Sequence, residues 1–229
     1  MHPLDSPRPT QPGIATPQAP SGPLTQGSAP RASGGERLAL GGVVGPAAFV
    51  GAWATGTVVL DGYSPIPDAI SRLAAVGADT RWLMTAGFLT FSAAAIPAAA
   101  ALRRAIPGRA WTGVLGTGLA TALVAALPLD RSPAVDSAHG MAAAVGYGLF
   151  VFGAAAAAQP LLAAGHRRLG GLSLGVAALA SASLALTPFV GPSGLMQRIG
   201  LTSLDCWLVA VSIAILTGRL DPQPPTVAT

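Results

Sequence analysis

Six long apolar runs separated by short polar stretches set the pattern of this chain, at about residues 38–60, 82–102, 111–129, 139–162, 170–189 and 199–217. Each is close to the ~20 residues that an α-helix needs to cross ~30 Å of hydrocarbon. In lipid a backbone must satisfy its own hydrogen bonds, so the runs are expected to be helices. A soluble helical bundle with such runs would need a charged face on each helix, and none is present. The pattern therefore predicts an all-α integral membrane bundle of six transmembrane helices over residues 37–218. Residues 1–36 hold eight Pro among Ser, Thr, Gln and Gly with no apolar period, which predicts a disordered tail. Residues 219–229 read as a second, short disordered tail. No signal peptide is expected, because no short apolar region precedes Leu38.

Composition sharpens this picture. Only 10% of residues are charged, against about a quarter in a soluble domain. All thirteen basic residues are Arg, and the net charge is +4. The Arg residues fall in short turns between apolar runs, which fits membrane orientation and not nucleic-acid binding. With the N-terminus inside, nine Arg lie on inner segments and four (Arg72, Arg81, Arg131 and Arg198) on outer ones. That bias predicts a multi-pass plasma-membrane protein with both termini cytoplasmic. Asp61, Asp68, Asp79, Asp130, Asp136 and Asp205 fall on or near the outer side. The single Cys206 precludes an internal disulfide, and three scattered His argue against a zinc site. No cofactor is expected.

The polar centre of the sequence is the stretch from Leu127 to Gly140, with Asp130, Arg131, Asp136 and His139 inside it. Asp136 is the expected cap of the fourth helix. Ser132 followed by Pro133 is the alternative, one turn earlier. His139 would then sit in the first turn, with Asp130 as the nearby carboxylate. It reads either as an interfacial histidine or as a ligand-binding or proton-handling residue. Asp205 is expected about six residues inside the last run, facing the bundle interior and needing a partner. His139 and Arg131 are the expected cross-helix partners, and Arg198 lies seven residues back on the same face. No ionisable residue is expected at the centre of a span, which places any site at the outer mouth.

The longest loop, Asp61 to Arg81, contains a short amphipathic pattern from Pro67 to Ala75, with Ile70, Leu73 and Ala74 on one side. It suits a helix on the membrane surface, over the bundle mouth, or merely connecting two spans. Gly41 with Gly45, Gly171 with Gly175 and Ala178 with Ala182 have the four-residue spacing that permits close helix approach in lipid. Pro46 and Pro97 lie within spans and are expected to kink them.

Taken together, the six spans, Gly62-Tyr63-Ser64 followed by Ile70-Ser71-Arg72-Leu73, the Pro128-Leu129-Asp130 to His139-Gly140 stretch, and Gln197-Arg198-Ile199 with Trp207 resemble a known family. It is the prokaryotic six-span membrane family called domain of unknown function 998. The resemblance covers about residues 38–217 and implies fold and location but no reaction. A more distant likeness is to the eukaryotic Frag1/DRAM/Sfk1 group, whose members are associated with lipid remodelling, lipid organisation and autophagy. Residue by residue, the likeness marks Ser71, Asp130, His139, Gly140 and Arg198. Gln197 and Arg72 depart from the acidic residues expected at their positions.

Three functional readings follow. The first is a non-catalytic membrane protein that binds a lipid or amphipathic headgroup at its outer mouth through Ser71, Asp130, Asp136, His139, Arg198 and Asp205, with the 67–75 segment as cover. The second is a lipid-modifying hydrolase or transferase with His139 as acid/base and Asp130 orienting it. A Ser-His-Asp set can be written with Ser71 or Ser137, but no Gly-x-Ser-x-Gly elbow accompanies it. The third is a structural partner of another membrane protein, or a homo-oligomer. Membrane lipids are the expected partners of the first two readings.

Overall fold

A computed structural model describes residues 37–220. The tail expected over 1–36, and all but the first two residues of that over 219–229, lie outside the described residues. Six α-helices carry the described residues: α1 Gly41–Val59, α2 Arg81–Ala105, α3 Ala110–Ala126, α4 Pro133–Ala163, α5 Arg167–Leu186 and α6 Ser193–Leu216. Five are long and apolar enough to cross a membrane; α3 is apolar but has 17 residues. At 1.5 Å per residue α3 still covers about 25 Å.

The helices run alternately up and down. Residues 106–109 and 164–166 are tight turns at one end, where Gly108 and Gly165 take positive φ. The other end gathers the 60–80 loop, the 127–132 turn and residues 187–192, and is called the loop end below. Successive helices pack side by side, and α6 returns to α1 while also touching α2 and α4. Twelve of the 24 residues of α6 are buried, Trp207 completely. The core is an aromatic chain set among alanines. Phe49, Phe91 and Phe150 follow one another at 5.9 Å between ring centroids, and Phe150 meets Trp207 edge-on at 6.2 Å. Ser173 accepts from the Trp207 indole at 2.8 Å, so the polar corner of that buried ring is satisfied.

Small residues bring the backbones together, but not all of those expected. A Cβ on Gly113 would stand 2.5 Å from the Gly153 backbone, so α3 and α4 touch main chain to main chain. Gly41 and Gly45 lie against Ala94 of α2 as their spacing suggests. Gly171 and Gly175 meet nothing within 4 Å, and Ala178 and Ala182 are exposed. The buried stripe of α5 is Ser173, Val176, Ala177, Ala180 and Ser183. A helix has only one face toward its bundle, and here the spaced small residues took the other. Pro46 and Pro97 are accommodated within α1 and α2, and Pro160 within α4.

Two helix starts correct the hydropathy boundaries. Helix α4 begins at Pro133, with Ser132 as the cap accepting from Val135 N–H. The cap is therefore the serine and not Asp136, because Pro133 supplies a ready-made first helical residue. Helix α6 begins at Ser193, six residues before the apolar run. Asp205 consequently lies about 18 Å along α6 rather than ~9 Å, at the midpoint of the helix. Asp205 therefore lies deeper in its helix than the apolar run alone suggests.

Candidate functional site: an interhelical cavity beneath a clamped loop

The site is built from the loop end inward. Of the amphipathic pattern 67–75, only Ile70–Ala74 is helical, as a 3-10 turn. Ile70, Ser71, Leu73 and Ala74 are all buried. Their side chains are buried in the bundle, so this segment plugs the bundle end.

Arg198 holds that plug in place. Its guanidinium Nη1 donates to the carbonyls of Pro65 at 2.8 Å, Asp68 at 2.9 Å and Gly194 at 3.0 Å, and Nη2 donates to the Tyr63 hydroxyl. The same group lies 5.4 Å from the Trp53 ring centroid and 5.6 Å from that of Tyr63. Arginine suits this place because its planar fork feeds several acceptors while its face stacks on aromatics. Burial pushes the Tyr63 phenol above its ordinary pKa, and the Arg198 charge opposes that rise. Gly194 packs against the Asp68 and Pro65 backbone so closely that a Cβ has no room. Leu195 N–H and the Ser193 hydroxyl, both donating at 2.9 Å to the Ile66 and Pro67 carbonyls, add two further ties.

Gln197 makes the next link. Its Oε1 accepts from Ile70 N–H at 2.7 Å and its Nε2 donates to the Tyr147 hydroxyl at 2.5 Å. An acidic residue here could accept both bonds but donate neither when ionised, whereas an amide does one of each. The departure from the expected acidic residue thus matches the local geometry. On the outside of the plug, Arg72 pairs with both oxygens of Asp130 at 2.7 Å. Asp130 has φ +64°, a conformation Asp tolerates better than most residues. Asp136 stabilises this turn by accepting from Asp130 N–H at 2.9 Å.

The expected acid–base pair of His139 and Asp130 is not formed. His139 is buried on α4, and its Nδ1 lies 2.6 Å from the Leu127 carbonyl. A carbonyl can only accept, so Nδ1 carries the proton. Its Nε2 is buried with no partner among the described residues. Asp130, turned to Arg72, leaves no carboxylate to orient that imidazole. The cause is the early start of α4, which lifts His139 out of the first turn and seats it beside the end of α3.

Beneath the plug is a cavity between α1, α2, α3, α4 and α6. Its empty volume is about 510 Å³ including the open mouth. Phe49, Phe88, Phe91, Phe150 and Tyr147 furnish its aromatic walls; Ser71, Thr117, Thr121 and Asp205 are its other polar side chains. Thr117 is spent on the Gly113 and Gly146 carbonyls, at 2.8 and 3.1 Å, and Thr121 on the Thr117 carbonyl at 2.9 Å. Asp205 is different. It is 3% exposed, and its Oδ2 has no hydrogen-bond partner among the described residues. Neither expected cross-helix partner reaches it: His139 is turned to Leu127, Arg131 is exposed, and Arg198 is committed to the loop. An Asp at the centre of a membrane helix costs about 3 kcal/mol in insertion, and such residues face interiors or wet cavities. Here the cavity is what it faces.

Among the six residues singled out from sequence, the structure divides the work. Ser71 and Asp205 line the cavity, Arg198 clamps its plug, Asp130 and Asp136 fix the adjacent turn, and His139 packs between α4 and the end of α3. Five of them stand near the loop end, and Asp205 lies at the midpoint of α6. Among the described residues no cluster of His, Cys, Asp or Glu could hold a metal ion. Tyr63, Gln197 and Tyr147 were not singled out as site residues, although Tyr63 and Gln197 lie within the short motifs that carried the family resemblance. A family model described as a protein of unknown function, DUF998, matches residues 43–214. The chain belongs to the DUF998 family. The matched range runs from early α1 to late α6 and takes in the clamp, the plug and the cavity of this DUF998 protein. No curated protein matches the chain, and no solved structure does.

Proposed function

We propose that this DUF998 protein binds an amphipathic, chain-bearing membrane molecule in the cavity beneath the 70–74 plug, without transforming it chemically. The chain is an integral membrane protein by its family and its apolar helices. The observation that carries the reading is the cavity itself: apolar aromatic walls within a membrane bundle, with Asp205 and Ser71 as sparse polar points. Ligand sites have this character, mostly apolar with a few polar groups that fix orientation. The Arg bias between segments supports placing the loop end outside a plasma membrane with both termini cytoplasmic, so the occupant would enter from the outer leaflet.

The turn of His139 toward Leu127 and of Asp130 toward Arg72 weighs for binding over catalysis, since neither residue presents the other to a substrate. The test is native mass spectrometry of gently extracted protein. Ala142 lines the cavity, and Ala142→Leu fills part of it. The expected result is a co-purifying lipid-sized adduct in the wild type, reduced several-fold in Ala142→Leu. Equal occupancy in the two proteins, at matched thermal stability, would sink the reading.

A further inference from the structure

We propose that the cavity's occupant carries a positively charged nitrogen, an alkylammonium group, which Asp205 receives. This deepens the binding reading above and rests on it. Three observations converge. First, Asp205 is buried, and its Oδ2 has no partner. A carboxylate in such surroundings demands an opposite charge or a donor. Second, the described residues do not supply the opposite charge. No basic side chain lines the cavity. Arg198, two turns back on the same helix, is bound to the Pro65, Asp68 and Gly194 carbonyls and to Tyr63. Third, the walls are aromatic. Phe49, Phe88, Phe91, Phe150 and Tyr147 surround the space, and the negative faces of such rings attract a cation while repelling an anion.

An anionic headgroup would meet the unpaired carboxyl and the ring faces unfavourably. A neutral alcohol could donate one hydrogen bond to Asp205 but would gain little from the rings. An ammonium on an apolar tail satisfies the carboxyl and the rings, and its tail matches the apolar remainder of the cavity.

The experiment uses the full chain in lipid nanodiscs with three probes of one tail length: n-octylammonium, octan-1-ol and octanoate. Binding is read by native mass spectrometry and by Trp fluorescence, since Trp207 abuts the Phe150 wall. In the wild type, octylammonium is expected to bind about tenfold or more tighter than octan-1-ol, and octanoate weakest. Asp205→Asn is expected to erase the preference while retaining octan-1-ol. Asp205→Glu is expected to keep it, which guards against a fold defect in the Asn variant. Equal binding of octylammonium and octan-1-ol to the wild type, or a preference for octanoate, would overturn the proposal while leaving the cavity a binding site. Absence of binding by all three probes would overturn both this inference and the binding reading beneath it.

Discussion

A buried arginine and a buried aspartate lie two turns apart on α6 and meet opposite fates. Arg198 finds three carbonyls, a phenol and two aromatic faces, all but one of the carbonyls from the segment between Trp53 and Asp68. Asp205 finds none of these. Hydrogen bonds to charged groups are worth about 1.5–3 kcal/mol each when buried. Removing the guanidinium would also strand the Pro65 carbonyl. Arg198→Ala is therefore expected to cost about 3 kcal/mol or more and to free the 61–80 loop for proteolysis. Arg198→Lys should recover under half of that loss, because an ammonium can reach carbonyls but cannot stack or fork to Tyr63. Thermal melts in detergent check both variants. An Arg198→Ala protein melting within about 2 °C of the wild type would show that the clamp contributes little. The sequence pointed to Arg198 and Asp205 as a pair on one face, and the face is indeed shared. Spacing along a helix cannot say which neighbour each side chain meets, and the loop that captures Arg198 is over 120 residues away in sequence.

At the scale of elements, the deciding feature is where backbones approach. Helices α3 and α4 meet at Gly113 and Gly153, where a side chain has no space. Gly171 and Gly175 of α5 face open surroundings. Gly113→Leu is expected to destabilise the bundle by about 3 kcal/mol or more through overpacking against a backbone that cannot yield. Gly171→Leu should be neutral or slightly stabilising, since an exposed helical Gly costs up to about 1 kcal/mol relative to a better helix former. Detergent melts of the two variants decide this, and similar losses at both positions would refute the assignment of faces. The small-residue spacing is present in both helices, so the pattern alone could not separate them. The helix starts tell a similar story. Ser132-Pro133 was visible as a cap, but hydropathy sees a membrane-length run and not the polar first turns that precede it. Helices α4 and α6 each begin six residues before their runs because a cap or a loop satisfies those turns.

At the scale of the molecule, the even number of helix passes puts both ends of residues 37–220 at the same end of the bundle and opposite the loop end. The topological proposal can be tested with Cys206, the single native cysteine, replaced by Ala, so that each introduced cysteine is the one thiol present. A cysteine at Asp79 or Arg131 is expected to label with an impermeant reagent in intact cells, and one at Gly108 or His166 only after permeabilisation. Labelling of Asp79 and Gly108 from the same side would dismantle the six-pass arrangement, and with it the entry route proposed for the ligand.

The sequence by itself determined the class of the protein: an all-helical membrane bundle, its family, the hairpin order of its helices and the concentration of its few polar residues toward one end. These follow from hydropathy and chain connectivity, which act over short stretches and survive in any one-dimensional reading. What only the tertiary structure decided is which polar residues satisfy one another. The Arg198–Tyr63 and Gln197–Ile70 links, the Arg72–Asp130 pair and the unpartnered Asp205 each depend on packing between segments far apart in the chain. Long-range pairing is set by which helix faces turn inward and how deep each helix starts, and only the assembled bundle fixes both.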